Sequence, residues 1–241
     1  MTRYLIGIDD TDNLETRGSG YRVRQLAGWL VDNQLAAPRG ITRHQLLVDA
    51  RIPYTSHNSS ACLVVETEHP DDVWEASSEF LKLTSAYDSD VGLCMAAWEN
   101  VPEDVLTFGR RAKSEVLTMP DARLTSVRSG IRCEGLKGTS GGIIGALAGI
   151  GLHRAGNDGR FFWLPGLREL SGRCVVEDLI TNGHIDQVCT LDQIDLSPAE
   201  AVHVGDWARP LLRNGKSTLY VEEQNQEWHI LSKEHIKNLS N

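Results

Sequence analysis

The order of apolar segments in the first hundred residues is the feature that most restricts how this chain can fold. Each of six segments is either a short apolar run, which is typical of a strand, or has the apolar spacing of an amphipathic helix. In chain order they are a strand, a helix, two strands, a helix and a strand, at residues 3–8, 20–34, 41–49, 61–68, 69–83 and 91–99. In a split βαβ unit of this order, an antiparallel sheet carries both helices on one face. The sequence therefore predicts an α+β fold whose N-terminal unit is ferredoxin-like.

The pattern is less regular after a further predicted helix at residues 103–116. Because proline interrupts helices, Pro120 suggests a break, and we expect the first domain to comprise residues 1–118. The remaining residues, 119–241, are expected to form a second, smaller α+β region. This region contains a glycine-rich loop followed by a helix, and it ends in a predicted hairpin at residues 217–231.

Charge and hydropathy limit the partners that the chain is expected to have. The formal net charge of −9 opposes broad, non-specific attraction to nucleic acids, although a local basic patch could still contact one. No stretch of the sequence approaches the roughly 20 apolar residues of a membrane span. We therefore expect a cytoplasmic protein without a membrane partner.

The cysteines indicate neither a disulfide framework nor a zinc ribbon. There are five of them, an odd number, and none occurs in C-x-x-C spacing. Free cysteine is among the most frequently buried residue types. We therefore expect these cysteines to be reduced and mostly buried.

Three carboxylates follow the first predicted strand within four positions: Asp9, Asp10 and Asp12, in GIDDTDN. Adjacent carboxylates repel, and burying them unpaired raises their pKa values, so a fold that keeps them together usually supplies a cation. Oxygen ligands of this kind suit Mg²⁺, which binds a few carboxylates, several waters and usually substrate phosphates. The competing interpretation is a solvated acidic turn, and these residues alone favour neither.

A polar segment, IPYTSHNSSA, occupies residues 52–61. Ser56, His57 and Asn58 are candidate contacts to a nucleotide or to an acceptor substrate, because their side chains can line a polar site at a strand edge. Considered alone, the segment is more typical of a polar hairpin loop.

A glycine-rich loop, KGTSGG, precedes a small-residue apolar run. A helix that starts near Ser140 would direct its positive end at an anion, and glycines let backbone N–H groups turn toward it. The alternative is that Gly145 and Gly149 serve close helix packing, and both roles are compatible. The loop lacks the residue order of a Walker A motif. The candidate phosphate contacts are Lys137, Gly138, Ser140, Gly141 and Gly142.

Taken in order, GIDDTD, IPYTSHNSSA, FGRRAKSEVLT and GGIIGALAGIG resemble the archaeal tRNA agmatinylcytidine synthetase (TiaS) family over roughly residues 4–170. The firm matches are GIDDTD and IIGALAGIG, whereas IPYTSHNSSA stands where the family has I-P-W-K-T-R-G-N-G-A. That family phosphorylates a cytidine carbonyl oxygen with ATP and Mg²⁺, and agmatine then displaces the phosphate. The resemblance implies that Asp9, Asp10 and Asp12 form the catalytic acidic site, where they hold Mg²⁺ and nucleotide phosphates.

The sequence also departs from the family. Residues 18–21, GSGY, contain no threonine where the family has a phosphorylated one, and the cysteines of the family's zinc ribbon are not found. We therefore expect a nucleotide-handling core with a different or smaller acceptor. The first hypothesis is a Mg²⁺-dependent, ATP-using phosphotransferase or ATPase with a nucleoside or RNA as candidate acceptor. The alternative is a non-catalytic module that binds a nucleotide or RNA.

Overall fold

The computed structural model describes residues 1–55, 57–206 and 208–240. It divides into two compact units, Met1–Ala155 and Gly156–Asn241. The division lies later than the predicted boundary after residue 118, because the elements between these points pack on the first unit. Among the described residues, no helix is long and apolar enough to cross a membrane.

The first unit begins with the predicted order of strands and helices. These elements are β1 (Thr2–Asp9), α1 (Ser19–Asp32), β2 (Ala37–Gln45), β3 (Ser59–Thr67), α2 (Pro70–Thr84) and β4 (Gly92–Ala97). A short strand, β5 (Arg132–Gly135), joins them, and the strand order β5-β4-β1-β3-β2 is antiparallel throughout. The ferredoxin-like α+β prediction is confirmed, although β2 begins four positions earlier than expected.

Three further helices belong to this unit: α3 (Glu103–Arg111), α4 (Met119–Ser129) and α5 (Ile143–Ala155). Pro120 lies in the first turn of α4, where its missing N–H costs nothing, and Thr118 and Asp121 form a capping box there. The proline therefore helps to begin a helix of the first unit instead of ending that unit, contrary to the sequence prediction.

The α5 backbone and Gly142, the residue before it, pack directly on the sheet. A Cβ added at Gly7 would lie 2.0 Å from the Ala146 carbonyl oxygen, and one at Gly92 would lie 2.0 Å from the Gly142 carbonyl carbon. The buried cluster around α5 includes Leu5 of β1 together with residues of α3 and α4. Helix α1 contacts β1, β2 and β3, and α2 packs against α1. The buried residues of α1 are outside the cluster around α5, so these two helices cover the other face of the sheet. The sheet is thus sandwiched between two helical layers.

Cys94 and Cys133 form a disulfide, which corrects the expectation that all cysteines are reduced. They lie directly opposite each other in the antiparallel register of β4 and β5. This register, which joins residues 39 positions apart, is not visible in the cysteine spacing. The other three, Cys62, Cys174 and Cys189, are buried and free, as expected.

The second unit is also built from helices and strands. Its elements are β6 (Arg160–Trp163), β7 (Gly172–Val175), α6 (Val176–Thr181), β8 (Gln187–Cys189), β9 (Ala201–Gly205), β10 (Leu211–Arg213), β11 (Lys216–Gln224), β12 (Glu227–Ile230) and α7 (Lys233–Leu239). The strands follow the order β6-β10-β11-β12-β9-β7, and β8 also pairs with β11. The predicted C-terminal hairpin is confirmed as β11 and β12, with Asn225 and Gln226 in the turn at positive φ.

Two glycine substitutions test the contact between α5 and the sheet. We expect Gly7→Ala to lower the free energy of unfolding by about 3 kcal/mol, because its methyl group would collide with backbone that cannot move away cheaply. Gly28→Ala adds the same methyl group within α1, where nothing lies within 4 Å of the added Cβ. This control should stabilise by about 1 kcal/mol through helix propensity. Urea unfolding followed by tryptophan fluorescence measures both changes, and equal effects would contradict the packing role of Gly7.

Candidate functional site

Asp9 ends β1 and lies against the first turn of α5. A Cβ added at Gly145 would lie 1.7 Å from Asp9 Oδ2, so the absence of a side chain there makes room for the carboxylate. The other oxygen, Oδ1, accepts a hydrogen bond from the Asp10 backbone N–H at 2.9 Å. Burial raises the pKa of Asp9 well above its usual range, and the neighbouring Asp10 charge raises it further. The fold therefore holds a carboxyl group where its charged form is unfavourable.

Asp10 combines an unusual backbone conformation with electrostatic repulsion. Its φ is 56°, in the left-handed region that aspartate and asparagine tolerate better than most residues. Burial raises its pKa to about 6, and the charges of Asp90 and Asp12 contribute to the shift. Strain and a perturbed pKa in one residue are typical of functional sites.

Asp12 connects the acidic segment to two other parts of the chain. Its Oδ1 accepts hydrogen bonds from the backbone N–H and the hydroxyl of Ser19, at 3.1 and 2.9 Å, where α1 begins. Its Oδ2 accepts a hydrogen bond from the Thr55 hydroxyl at 2.9 Å. Both carboxylate oxygens therefore have partners within the fold, and the polar segment 52–61 reaches the acidic residues through Thr55.

Asp90 is a site residue that the sequence analysis missed. Its carboxylate accepts a hydrogen bond from the Thr139 backbone N–H, and its carbonyl oxygen accepts one from Gly142 N–H at 2.8 Å. Gly138 lies at positive φ, and a Cβ there would lie 2.0 Å from the Asp90 carboxylate. The available signal was its position just before β4, because the predicted fold pairs the start of β4 with the end of β1.

The glycine-rich loop is held mainly by contacts within the protein. Lys137 Nζ donates to the carbonyl oxygens of Ser85, at 2.9 Å, and Ala86, at 3.4 Å. Ser140 has a positive φ, and its N–H donates to the Lys137 carbonyl oxygen at 3.1 Å. Helix α5 begins at Ile143, three positions after the predicted start. The Lys137 ammonium and the Ser140 and Gly142 amides therefore already have partners.

The three predicted contact residues in segment 52–61 differ in their surroundings. Asn58 Nδ2 donates to the Leu47 carbonyl oxygen at 2.6 Å, which anchors the loop between β2 and β3. His57 is exposed, and Ser56 lies outside the described residues. The contact from this segment to the acidic residues is made by Thr55, which was not among the predicted site residues.

The three motifs singled out in the sequence thus meet at one end of the sheet. The acidic segment, the glycine-rich loop and segment 52–61 are joined through Asp90 and Thr55. The carboxylate and hydroxyl oxygens gathered there are the ligand types that hard cations prefer. Among the described residues, however, Asp9, Asp10 and Asp12 do not form a set whose ligand atoms all lie within 4.8 Å of one another. These three carboxylates therefore do not enclose a single ion position.

A cavity of about 460 Å³ borders the glycine-rich loop at Ser140. Its lining is mixed, with Arg123 and Glu134 among the polar residues and Val127 and Ile143 among the apolar ones. This volume lies in the range typical of small-molecule sites. The cavity belongs to the first unit, and its lining includes none of Asp9, Asp10, Asp12 and Asp90.

No family model and no curated protein matches this sequence. Among solved structures, TiaS bound to an isoleucine tRNA and ATP matches with 24% identity and a TM-score of 0.56, over 63% of this chain and 36% of that chain. Part of this chain has the TiaS fold. A tRNA fluorescent labeling enzyme matches with 25% identity and a TM-score of 0.55, over 62% of this chain and 36% of that one. Apo TiaS matches with 22% identity and a TM-score of 0.54.

The shared region spans about a third of the length of these three chains. The resemblance to the TiaS family that the motifs indicate is therefore confirmed for part of this chain.

We predict that Asp10→Asn stabilises the ligand-free protein. Folding raises the pKa of Asp10 from 3.8 to about 6. The protonated side chain therefore contributes no penalty below pH 3.8, and the free energy of unfolding falls as pH rises from 3.8 through 6. Asparagine tolerates the same φ without the charge, so the gain at pH 7.5 should be about 1 kcal/mol after allowance for solvent screening.

Urea unfolding at pH 7.5 and 4.5 measures this gain, which should shrink at the lower pH. Asp72→Asn, at an exposed position in the first turn of α2, is the control that should show no gain. A destabilised Asp10→Asn variant at pH 7.5 would contradict the electrostatic interpretation.

Proposed function

We propose that this chain is part or all of a Mg²⁺-dependent, ATP-using enzyme of the phosphoryl-transfer or ligase type. The observation that carries the proposal is the meeting of the three motifs at one end of the sheet, around carboxylates that repel one another. The charges that act most on Asp10 are those of Asp90 and Asp12, all negative. A site of this kind is completed by a cation, and Mg²⁺ usually brings substrate phosphates with it.

The donor set favours Asp10 and Asp90 as the residues that would hold Mg²⁺, with Asp9 beside them. When bound, the ion would offset carboxylate repulsion and neutralise charge on a transferring phosphoryl group. We assign Asp12 a positioning role, because its two oxygens already bind Ser19 and Thr55. The resemblance to the TiaS family implied instead that Asp9, Asp10 and Asp12 all bind the ion.

The glycine-rich loop is assigned to shaping the phosphate site. Lys137 holds the loop against residues 85–86, and Gly138 allows the loop to approach Asp90 closely. Gly141 and Gly142 then lead into α5, whose positive N-terminal end lies beside Asp9 and favours a nearby anion. The exposed His57 stays a candidate acceptor contact, whereas Asn58 is assigned to holding its own loop.

A nucleoside or an RNA is the proposed acceptor class. Structures of TiaS contain tRNA, ATP and agmatine, and the cavity beside Ser140 has the volume of a small-molecule site. The basic stretch at residues 110–137 offers little free charge for a long RNA, because several of its arginines pair with acids on the protein surface.

The alternative function is a non-catalytic nucleotide- or RNA-binding module. The observation that favours it is the engagement of Asp12 and of the Ser140 and Gly142 amides within the protein. Both functions predict that the nucleotide binds. Only a test for catalytic turnover therefore separates them.

Thermal unfolding with ATP, Mg²⁺ or both tests the nucleotide site. We expect the pair to raise the melting temperature by several degrees and either component alone to raise it less, because a ligand that binds only the folded state stabilises it. Asp10→Asn should lose this gain, and the exposed control Asp72→Asn should keep it. Equal shifts for all three proteins would contradict the site.

Phosphorus NMR of Mg²⁺ and ATP with the same three proteins tests catalysis. Formation of AMP with pyrophosphate or phosphate supports a ligase-type reaction, and ADP supports a kinase or ATPase. Either product should be lost in Asp10→Asn. Stabilisation without turnover, with or without added nucleosides and RNA, would favour the binding module.

Thr55 provides a separate test of the link between segment 52–61 and the acidic residues. Thr55→Val removes the hydroxyl that Asp12 accepts from, and we expect Mg²⁺-ATP to bind about tenfold more weakly, roughly the value of one hydrogen bond to a charged group. Thr55→Ser keeps the hydroxyl and should retain most of the affinity. Calorimetric titration measures both, and equal losses would contradict the role of the hydroxyl.

A further inference from the structure

Two histidines and a glutamate converge on neighbouring strands of the second unit. In the parallel pairing of β9 and β12, His203 lies directly opposite His229. Glu227 precedes His229 by two positions, so the strand alternation places it on the same face. The ligand atoms of the three side chains all lie within 4.8 Å of one another, and no other such set occurs in the described part of the chain.

The distances fit a bound transition-metal ion. His203 Nε2 lies 3.4 Å from Glu227 Oε2, and the two imidazole rings are stacked with centroids 4.6 Å apart. In a tetrahedral zinc site with bonds of about 2.0–2.2 Å, neighbouring ligand atoms are separated by about 3.3–3.6 Å. The separation between His203 and Glu227 is therefore that of two ligands of one ion. Because the imidazole rings are nearly parallel, with 15° between their planes, one ring must rotate for both histidines to bind the same ion.

The hydrogen bonding of His203 supports the same interpretation. Its Nε2 is buried and has no hydrogen-bond partner among the described residues, although the Glu227 carboxylate lies nearby. A buried polar atom without a partner is costly and calls for an explanation. A neutral imidazole and a carboxylate both offer lone pairs, so a cation between them would satisfy both groups.

The surrounding charges do not already satisfy the cluster. Across the sheet, Glu222 of β11 lies opposite His229, and Arg173 of β7 lies opposite His203. The Glu222 carboxylate accepts a hydrogen bond from Gln224 at 2.9 Å. Glu222 and Arg173 carry opposite charges, so their effects on a cation bound at the cluster largely cancel.

We propose that His203, Glu227 and His229 bind a divalent transition-metal ion, with Zn²⁺ favoured by the ligand types. Two imidazoles and one carboxylate leave at least one coordination position open for water or another ligand. This site is independent of the proposed nucleotide site, where carboxylate oxygens suit Mg²⁺, whereas imidazole suits zinc, copper, iron and nickel. The two proposals can therefore fail separately.

Calorimetric titration of Zn²⁺ into the full chain, freed of metal and without nucleotide, tests the site. We expect one ion per chain, and His203→Ala and His229→Ala should each weaken binding at least tenfold. Glu227→Gln keeps the shape without the charge and should weaken binding less. His235→Ala changes an exposed histidine on α7 and should bind as the wild type does. Asp10→Asn should also bind Zn²⁺ normally, which separates this site from the acidic one.

Visible absorption of the Co²⁺-substituted protein gives a readout of the ligands themselves. Intense d–d bands are expected in the wild type and in His235→Ala, and they should be lost in both site-histidine variants. Circular dichroism identifies any variant that fails to fold, and His229→Gln then replaces His229→Ala. Absence of Zn²⁺ binding by the wild type would overturn the proposal. So would binding that the His203 and His229 substitutions leave unchanged, or that His235→Ala weakens equally.

Discussion

The close approach of α5 to β1 is the contact on which the rest of the candidate site depends. Gly7 allows the helix backbone to rest on the strand, and Gly145 allows the Asp9 carboxylate to fit against the first turn of that helix. Any side chain at either position would occupy space already filled. The same glycines that make the helix pack tightly therefore also determine where the acidic residues meet the glycine-rich loop.

This packing assembles carboxylates whose charged forms are unfavourable. The pKa of Asp9 is raised mainly by burial, and the pKa of Asp10 by burial and by the charges of Asp90 and Asp12. Asp10 also adopts a left-handed backbone conformation. Groups held at such a cost are commonly retained because a ligand relieves it. Under the proposed function, a bound cation would relieve this cost.

The two proposed ion sites differ in chemistry and in their place in the chain. Carboxylates at the end of the first sheet suit Mg²⁺ and phosphates, whereas the paired histidines of β9 and β12 suit a softer ion. Each proposed site lies within one compact unit. The proposed metal site in the second unit therefore does not depend on the proposed nucleotide site in the first.

The sequence by itself determined the order of strands and helices in the first unit, the C-terminal hairpin and the acidic segment. These features are local, because hydrophobic periodicity and neighbouring charges act over a few residues. Tertiary structure decided which residues meet: Asp90 with the glycine-rich loop, Cys94 with Cys133, and His203 with His229. It also gave the Lys137 ammonium, predicted as a phosphate contact, backbone partners at residues 85–86. Strand register and helix packing join residues far apart in the chain, and no local pattern specifies those pairings.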